Sequence, residues 1–251
     1  MHLKYKFFKH YIMKFLFVYA VCFALVAVPE SKSYEDSFDE IIVISDLREK
    51  NISTAATSME IINSEVIERR KAQHIDTLLN TVANVNFASG ASRGRFVQIR
   101  GIGERSQFVE PINPSVGVLL DGIDISGTNG AALTLDLDRI EILRGPQGTI
   151  NGANALAGLI NLKSNRPEAI KSGKLKIGFG NYEARTIDGS YSIPISETSK
   201  FRIAVGRTLN NGFMSNDFLD RDNTNNIDES AIKSMFDWQP TDNLTMESTL
   251  L

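Results

Sequence analysis

The 251-residue chain is 42% hydrophobic and 23% charged, an ordinary globular balance that excludes a collagen-like, coiled-coil or disordered chain. Its formal charge is −3, but the first 33 residues hold five bases and one acid, so the remainder carries 22 bases against 29 acids and argues against nucleic acid as a partner. The one cysteine, Cys22, lies in the N-terminal apolar run, which excludes disulfides, Cys-ligated zinc and a cysteine nucleophile from everything after it.

In chain order, Lys4, Lys6, Lys9 and Lys14 precede an apolar run from Phe15 to Val28. At about 14 residues the run is short for a bilayer span and suits the core of a signal peptide, residues 1–33. Ser31-Lys32-Ser33 places cleavage after Ser33; cleavage after Ala27, a start at Met13 and an uncleaved anchor are the alternatives. Residues 34–50 are acidic around a β-branched stretch, which can add as an extended strand to the sheet edge of a partner.

Residues 51–167 mix short helical and strand signals with glycines, the pattern of a small α/β domain. Asn63 to Val82 reads as helix, N-capped by Ser64 and interrupted at Gln73-His74. Short strands are expected at 96–100, 115–120, 123–125, 139–143 and 159–162, with a tight turn at Asp121-Gly122. From 173 to 251 apolar and polar residues alternate with period two. Leu175, Ile177 and Phe179 begin the series; Ile187, Tyr191, Phe201, Ile203 and Trp238 continue it. The pattern predicts five strands of about 8–11 residues, long enough to cross a bilayer with tilt. Short turns at 196–199 and 241–243 contrast with a polar loop at 210–229, as in outer-membrane barrels; a soluble β-sandwich is the alternative on periodicity alone.

The stretch from Arg139 to Leu162, containing Arg144-Gly145-Pro146-Gln147-Gly148 and Gly158-Leu159-Ile160-Asn161, resembles the plug-domain signature of TonB-dependent receptors. Gly145, Gly148, Gly152 and Gly158 are expected to serve its turns and Pro146 to fix one of them. A phosphate-binding loop is disfavoured, since no Gly-Lys-Ser/Thr ending follows. Gln98-Ile99-Arg100-Gly101-Ile102 resembles the Ile-Arg-Gly segment of the same family, and Val118 to Ile123 its Asp-Gly hairpin. Asn63 to Val85 resembles its opening helices, with Asn84 where Pro-Gly is usual. Asp39-Glu40-Ile41-Ile42-Val43-Ile44-Ser45 looks like the TonB box of these receptors.

The resemblance implies an α+β plug domain followed by antiparallel strands of a transmembrane β-barrel, located in the outer membrane. Receptors of this kind close about 22 strands around the plug. The five read here end at Leu251 inside an alternating run, so the expectation is an incomplete barrel from a truncated, split or fragmentary product that does not transport alone. The implied partners are TonB with its inner-membrane energising complex, outer-membrane lipid and a small ligand. A ferric siderophore or other iron complex is the common case, with haem, cobalamin and a glycan open. Arg100 and Arg144 match arginines that lock plug to barrel by pairing with barrel glutamates, which would here lie beyond Leu251. Ligand contacts are expected from polar loops at Arg93, Arg95, Glu104, Arg105, Gln107, Phe108, Ser126 and Asn129. No catalytic set, metal site or cofactor is expected: two of the three histidines, His2 and His10, lie in the leader, leaving His74 alone. A periplasmic plug-only binding or interaction domain is the alternative function.

Overall fold

Period-two alternation builds two different sheets from this chain, according to what covers each face. The computed structural model describes residues 42–45, 48–51, 58–88, 96–105, 112–126, 133–148 and 154–251. All but Ile42 fall in one unit, Val43–Leu251. The leader and Asp39, Glu40, Ile41, Arg93, Arg95, Gln107, Phe108, Asn129 and Gly152 lie outside the described residues.

Strands β1 (Ile42–Ser45) and β2 (Arg48–Asn51) form a two-stranded sheet. The plug sheet follows, from β3 (Ser58–Asn63), β6 (Val116–Leu120), β7 (Ile123–Asp124), β8 (Leu137–Arg144) and β9 (Gly158–Ser164), in the order β3-β8-β9-β6-β7. Only β6 and β9 pair in parallel. A further pair, β4 (Val85–Ala88) and β5 (Phe96–Ile99), and helices α1 (Ser64–Arg69) and α2 (Ile75–Leu79) complete this part.

The expected helix is two short ones, broken where Gln73-His74 suggested. The cap moves by one residue: Asn63, still extended at the end of β3, accepts from Val66 N at 3.1 Å, and Ser64 is already helical. His74 caps α2, its Nδ1 accepting from Asp76 N at 3.3 Å, and is fully buried. One face of the plug sheet and the helices share a core in which Leu78, Ile99, Val118, Ile140, Ile142 and Ile160 are all at 0% exposure. Burying each such side chain contributes about 1.5–3 kcal/mol. Asp121 (φ +50) and Gly122 (φ +87) make the tight turn between β6 and β7. Asn84 takes φ +61, a left-handed conformation that asparagine tolerates, where glycine is usual.

The signature glycines divide. Gly145 has φ +108, closed to most residues. Gly158 starts a strand rather than a turn: a Cβ there would stand 2.4 Å from the Leu143 carbonyl oxygen and 2.6 Å from Ile99 Cδ1. Gly148 faces open space, so the expected turn constraint is absent there, and Pro146 is exposed between them.

The wall sheet is antiparallel, in the order β10 (Ser172–Phe179), β11 (Arg185–Pro194), β12 (Ser199–Asn210), β15 (Ile227–Thr241), β16 (Leu244–Leu250), and is open at β10 and β16. The five expected strands are all present, the longest running to 15 residues against the expected 11 because β15 continues into the long loop. That loop holds its own hairpin, β13 (Met214–Asn216) with β14 (Arg221–Thr224). The register puts Leu175, Gly189, Val205 and Ile232 in one row and Lys176, Asp188, Gly206 and Ala231 in the next. Every odd residue of β10 to β12 therefore shares one face, and the apolar set occupies it.

Candidate functional site

The plug and the wall meet on the polar face of the wall. From β10, Lys174 and Lys176 both reach Glu68 at the end of α1. The hydrogen bond from Lys174, with further help from Lys176, holds the Glu68 carboxyl below its ordinary range. From β11, Thr186 Oγ1 accepts from Gln73 Nε2 at 2.9 Å, and Ser192 Oγ accepts from Glu168 N at 2.7 Å. From β12, Arg202 grips Asp136 through two bonds of 2.7 Å, with both side chains buried. From β15, the buried Lys233 ammonium donates to Leu135 O at 2.8 Å and to Ser164 Oγ at 2.6 Å. Arg166, just past β9, pairs outward with Asp237 and with Glu247 of β16. A cavity of about 470 Å³ remains between the two parts, lined among others by Gln73, Leu135, Lys176, Thr186, Thr208 and Glu229.

The opposite face of the wall is apolar and uncovered among the described residues. Leu175, Ile177, Ile187, Val205, Ile232 and Leu250 are all exposed there. Tyr191 and Trp238 stand on the same face. This arrangement, polar toward the plug and apolar away from it, is that of a membrane wall around a plug rather than of a soluble sandwich, whose apolar faces pack inward.

The chain's own signature residues occupy varied places. Ile42 to Ser45 are the strand β1, so the described part of the expected TonB box is extended. Arg144 is mostly buried and pairs with Glu60 across β3 and β8, a partner inside the plug that the sequence reading did not foresee; its Nε has no hydrogen-bond partner among the described residues. Arg100 is exposed at φ +54, with its amide donating to Asn84 O at 2.8 Å. Glu104 accepts from Ser115 N at 3.0 Å and Ser115 Oγ at 2.8 Å, which ties the loop to the start of β6. Arg105 is exposed and donates to Gly101 O at 3.3 Å. Ser126 is buried, its hydroxyl accepting from Val118 N at 2.8 Å and bonded to Asp124. Burial works against ionisation of Asp124, but hydrogen bonds from Ser126 and Asn154 outweigh it and lower its pKa. The residues that join plug to wall, Glu68, Asp136, Ser164, Arg202 and Lys233, were not singled out by the sequence. The available signal was the lysines and arginine among the inward positions of the alternating strands.

A family model, the TonB-dependent Receptor Plug Domain, matches residues 51–159. The chain therefore carries a TonB-dependent receptor plug domain. It is similar to the pesticin receptor of Yersinia pestis, 24% identical over 186 residues, which are 73% of this chain and 27% of that protein. It is likewise similar to the vitamin B12 transporter BtuB of Vibrio cholerae, 23% identical over 70% of this chain and 28% of that one. Among solved structures, the ferric yersiniabactin uptake receptor FyuA of Yersinia pestis superposes with a TM-score of 0.67 at 23% identity, over 74% of this chain and 29% of its own. The pyoverdine receptor FpvA of Pseudomonas aeruginosa gives 0.69 at 17% identity, over 86% and 30%. The chain thus spans under a third of the length of each of these relatives. These relatives are named as receptors or transporters, and FpvA as an outer-membrane receptor.

Proposed function

We propose that the chain supplies the plug and the leading wall strands of an outer-membrane receptor that takes up a scarce nutrient with energy delivered through TonB. The cargo in this reading is a ferric siderophore or another iron complex. A ferric yersiniabactin uptake receptor and a pyoverdine outer-membrane receptor among its relatives support iron, while a vitamin B12 transporter among them keeps cobalamin in view. The observation that carries the reading is the two-faced wall, with Arg202 and Lys233 turned to the plug and Leu175, Ile177, Val205 and Ile232 turned away. A periplasmic plug-only domain would expose that apolar face to water, where a contiguous patch of this kind is unfavourable.

In this scheme ligand binds loops containing Arg93, Arg95, Arg105, Gln107, Phe108 and Asn129. Glu104 and Ser126 act as internal supports of those loops, in keeping with their hydrogen bonds. TonB takes the Asp39–Ser45 segment as an added strand, and Arg100 and Arg144 help to hold the plug until it is drawn. The test is Ile42→Pro, which removes a backbone donor from β1. Cells producing the receptor should still bind radiolabelled ferric chelate at the surface and should cease to accumulate it. Undiminished accumulation would refute TonB coupling through this segment.

A further inference from the structure

The contacts between plug and wall are unequal, and the strong ones converge on one end of the β8–β9 pair. Leu135 and Asp136 lead into β8 and Ser164 ends β9; Asn165 closes the two together, its amide donating to Asp136 O and its side chain to Asp136 Oδ1, both at 3.0 Å. Three wall residues seize this end. Arg202 takes the Asp136 carboxylate in a two-pronged grip, with side-chain exposures of 9% and 7%. Lys233, 5% exposed, takes the Leu135 carbonyl and Ser164 Oγ. Gly206 lets Leu135 come close, since a Cβ there would lie 3.0 Å from Leu135 Cδ1. Ser164 passes the contact on: its hydroxyl donates to Asp121 Oδ2 at 2.7 Å and its amide to Asp121 Oδ1 at 2.8 Å. Arg202 is thus matched by a buried plug carboxylate, and Lys233 is linked through Ser164 to a second, part-buried one.

The other end of the contact is weaker. Glu68 and its lysines are between 38% and 54% exposed. Strand β3, which leads into α1, is the edge of the plug sheet, bound on one side to β8. An exposed ion pair rehydrates when it parts and contributes little. A buried one leaves a charge stranded when its partner is removed.

We propose that Arg202 and Lys233 are the fixed anchor of the plug on the wall, and that β3 with α1 is the part that detaches first. They are positioning residues that act by holding β8 and β9 in place. The order of detachment matters for function only if the plug is drawn by TonB, as proposed above; the anchor itself does not depend on that.

The test is amide hydrogen exchange on the whole protein in a lipid bilayer, without TonB or ligand. Arg202→Asp and Asp136→Arg should each speed exchange in residues 137–144 and 158–164 by more than about tenfold. The double swap, which restores the opposite charges, should bring the rates most of the way back. Glu68→Gln should speed exchange in residues 58–69 alone. If a single reversal unfolds the plug throughout, Arg202→Lys decides, because it keeps the charge and loses the fork; a smaller rise confined to β8 and β9 is expected. Unchanged β8 and β9 rates in Arg202→Asp, a double swap no better than its parents, or a uniform rise in Arg202→Lys would overturn the anchor. Failure here leaves the uptake reading to its own test, Ile42→Pro.

Discussion

The plug sheet and the wall sheet are built from the same β-branched alternation, yet they bury opposite things. In the plug sheet the apolar row, including Val118, Ile140 and Ile160, faces the helices and is closed to solvent. In the wall sheet the apolar row faces away from every described residue, and the row that meets protein carries Lys174, Asp188, Arg202 and Lys233. What an apolar face means therefore depends on the solvent it meets. The plug hides its row from water, whereas the wall has a row suited to lipid and keeps its polar groups for the plug.

Substitutions at four positions sharpen or break this contrast. The largest effect is expected for Ile160→Asp, at 0% exposure, which places an unpaired charge in the plug core and should abolish the folded plug, read as rapid proteolysis of residues 58–164. A protease-resistant variant would mean that this core is not closed. Next is Val205→Lys on the outward face of β12, expected to cost about 2–4 kcal/mol for unfolding from lipid vesicles. A neutral result would place that face in water. Asp121→Ala removes both acceptors for Ser164 and a residue that tolerates positive φ, and should lower plug stability by about 1–3 kcal/mol in chemical denaturation. Asp121→Asn, which suits the same turn, should lose less; equal losses would assign the effect to charge rather than turn geometry.

The smallest effect concerns pH. The Glu68 carboxyl titrates below its ordinary range, so its contribution is complete above the usual carboxylate pKa and disappears as pH falls through the lowered value. Because the pair is well exposed, the contribution is only about 0.2–1 kcal/mol. Glu68→Gln should therefore be less stable than the parent at neutral pH and converge with it in acid. A gap that persists in acid would exclude the lysine contacts as its cause.

Much of the architecture was legible from local chemistry. Asp121-Gly122 could hardly be anything but a tight turn, and the break at Gln73-His74 followed from the interrupted helical spacing. Positions whose role depends on a neighbour were not legible. Ser64 and Asn63 are equally good capping residues, and the choice fell to Asn63 because β3 keeps it extended up to the helix. Gly158 looked like a turn glycine but is small because Ile99 and the Leu143 backbone crowd it from other strands. Glu104 and Ser126 looked like free loop groups and prove to be bonded to Ser115 and Val118.

By itself the sequence determined most of the strands, their alternation, the Asp121-Gly122 turn and the family signature, because these depend on residues within a few positions of each other; β3, β4 and the β13–β14 hairpin were not among the strands it predicted. Only the tertiary structure decided which row of the wall faces the plug and which charges meet. Arg202 finds Asp136 across 66 residues of chain and Lys233 finds Leu135 across 98. Such pairings depend on sheet register and on the seating of one sheet against another, and neither is written in the local pattern that sets secondary structure.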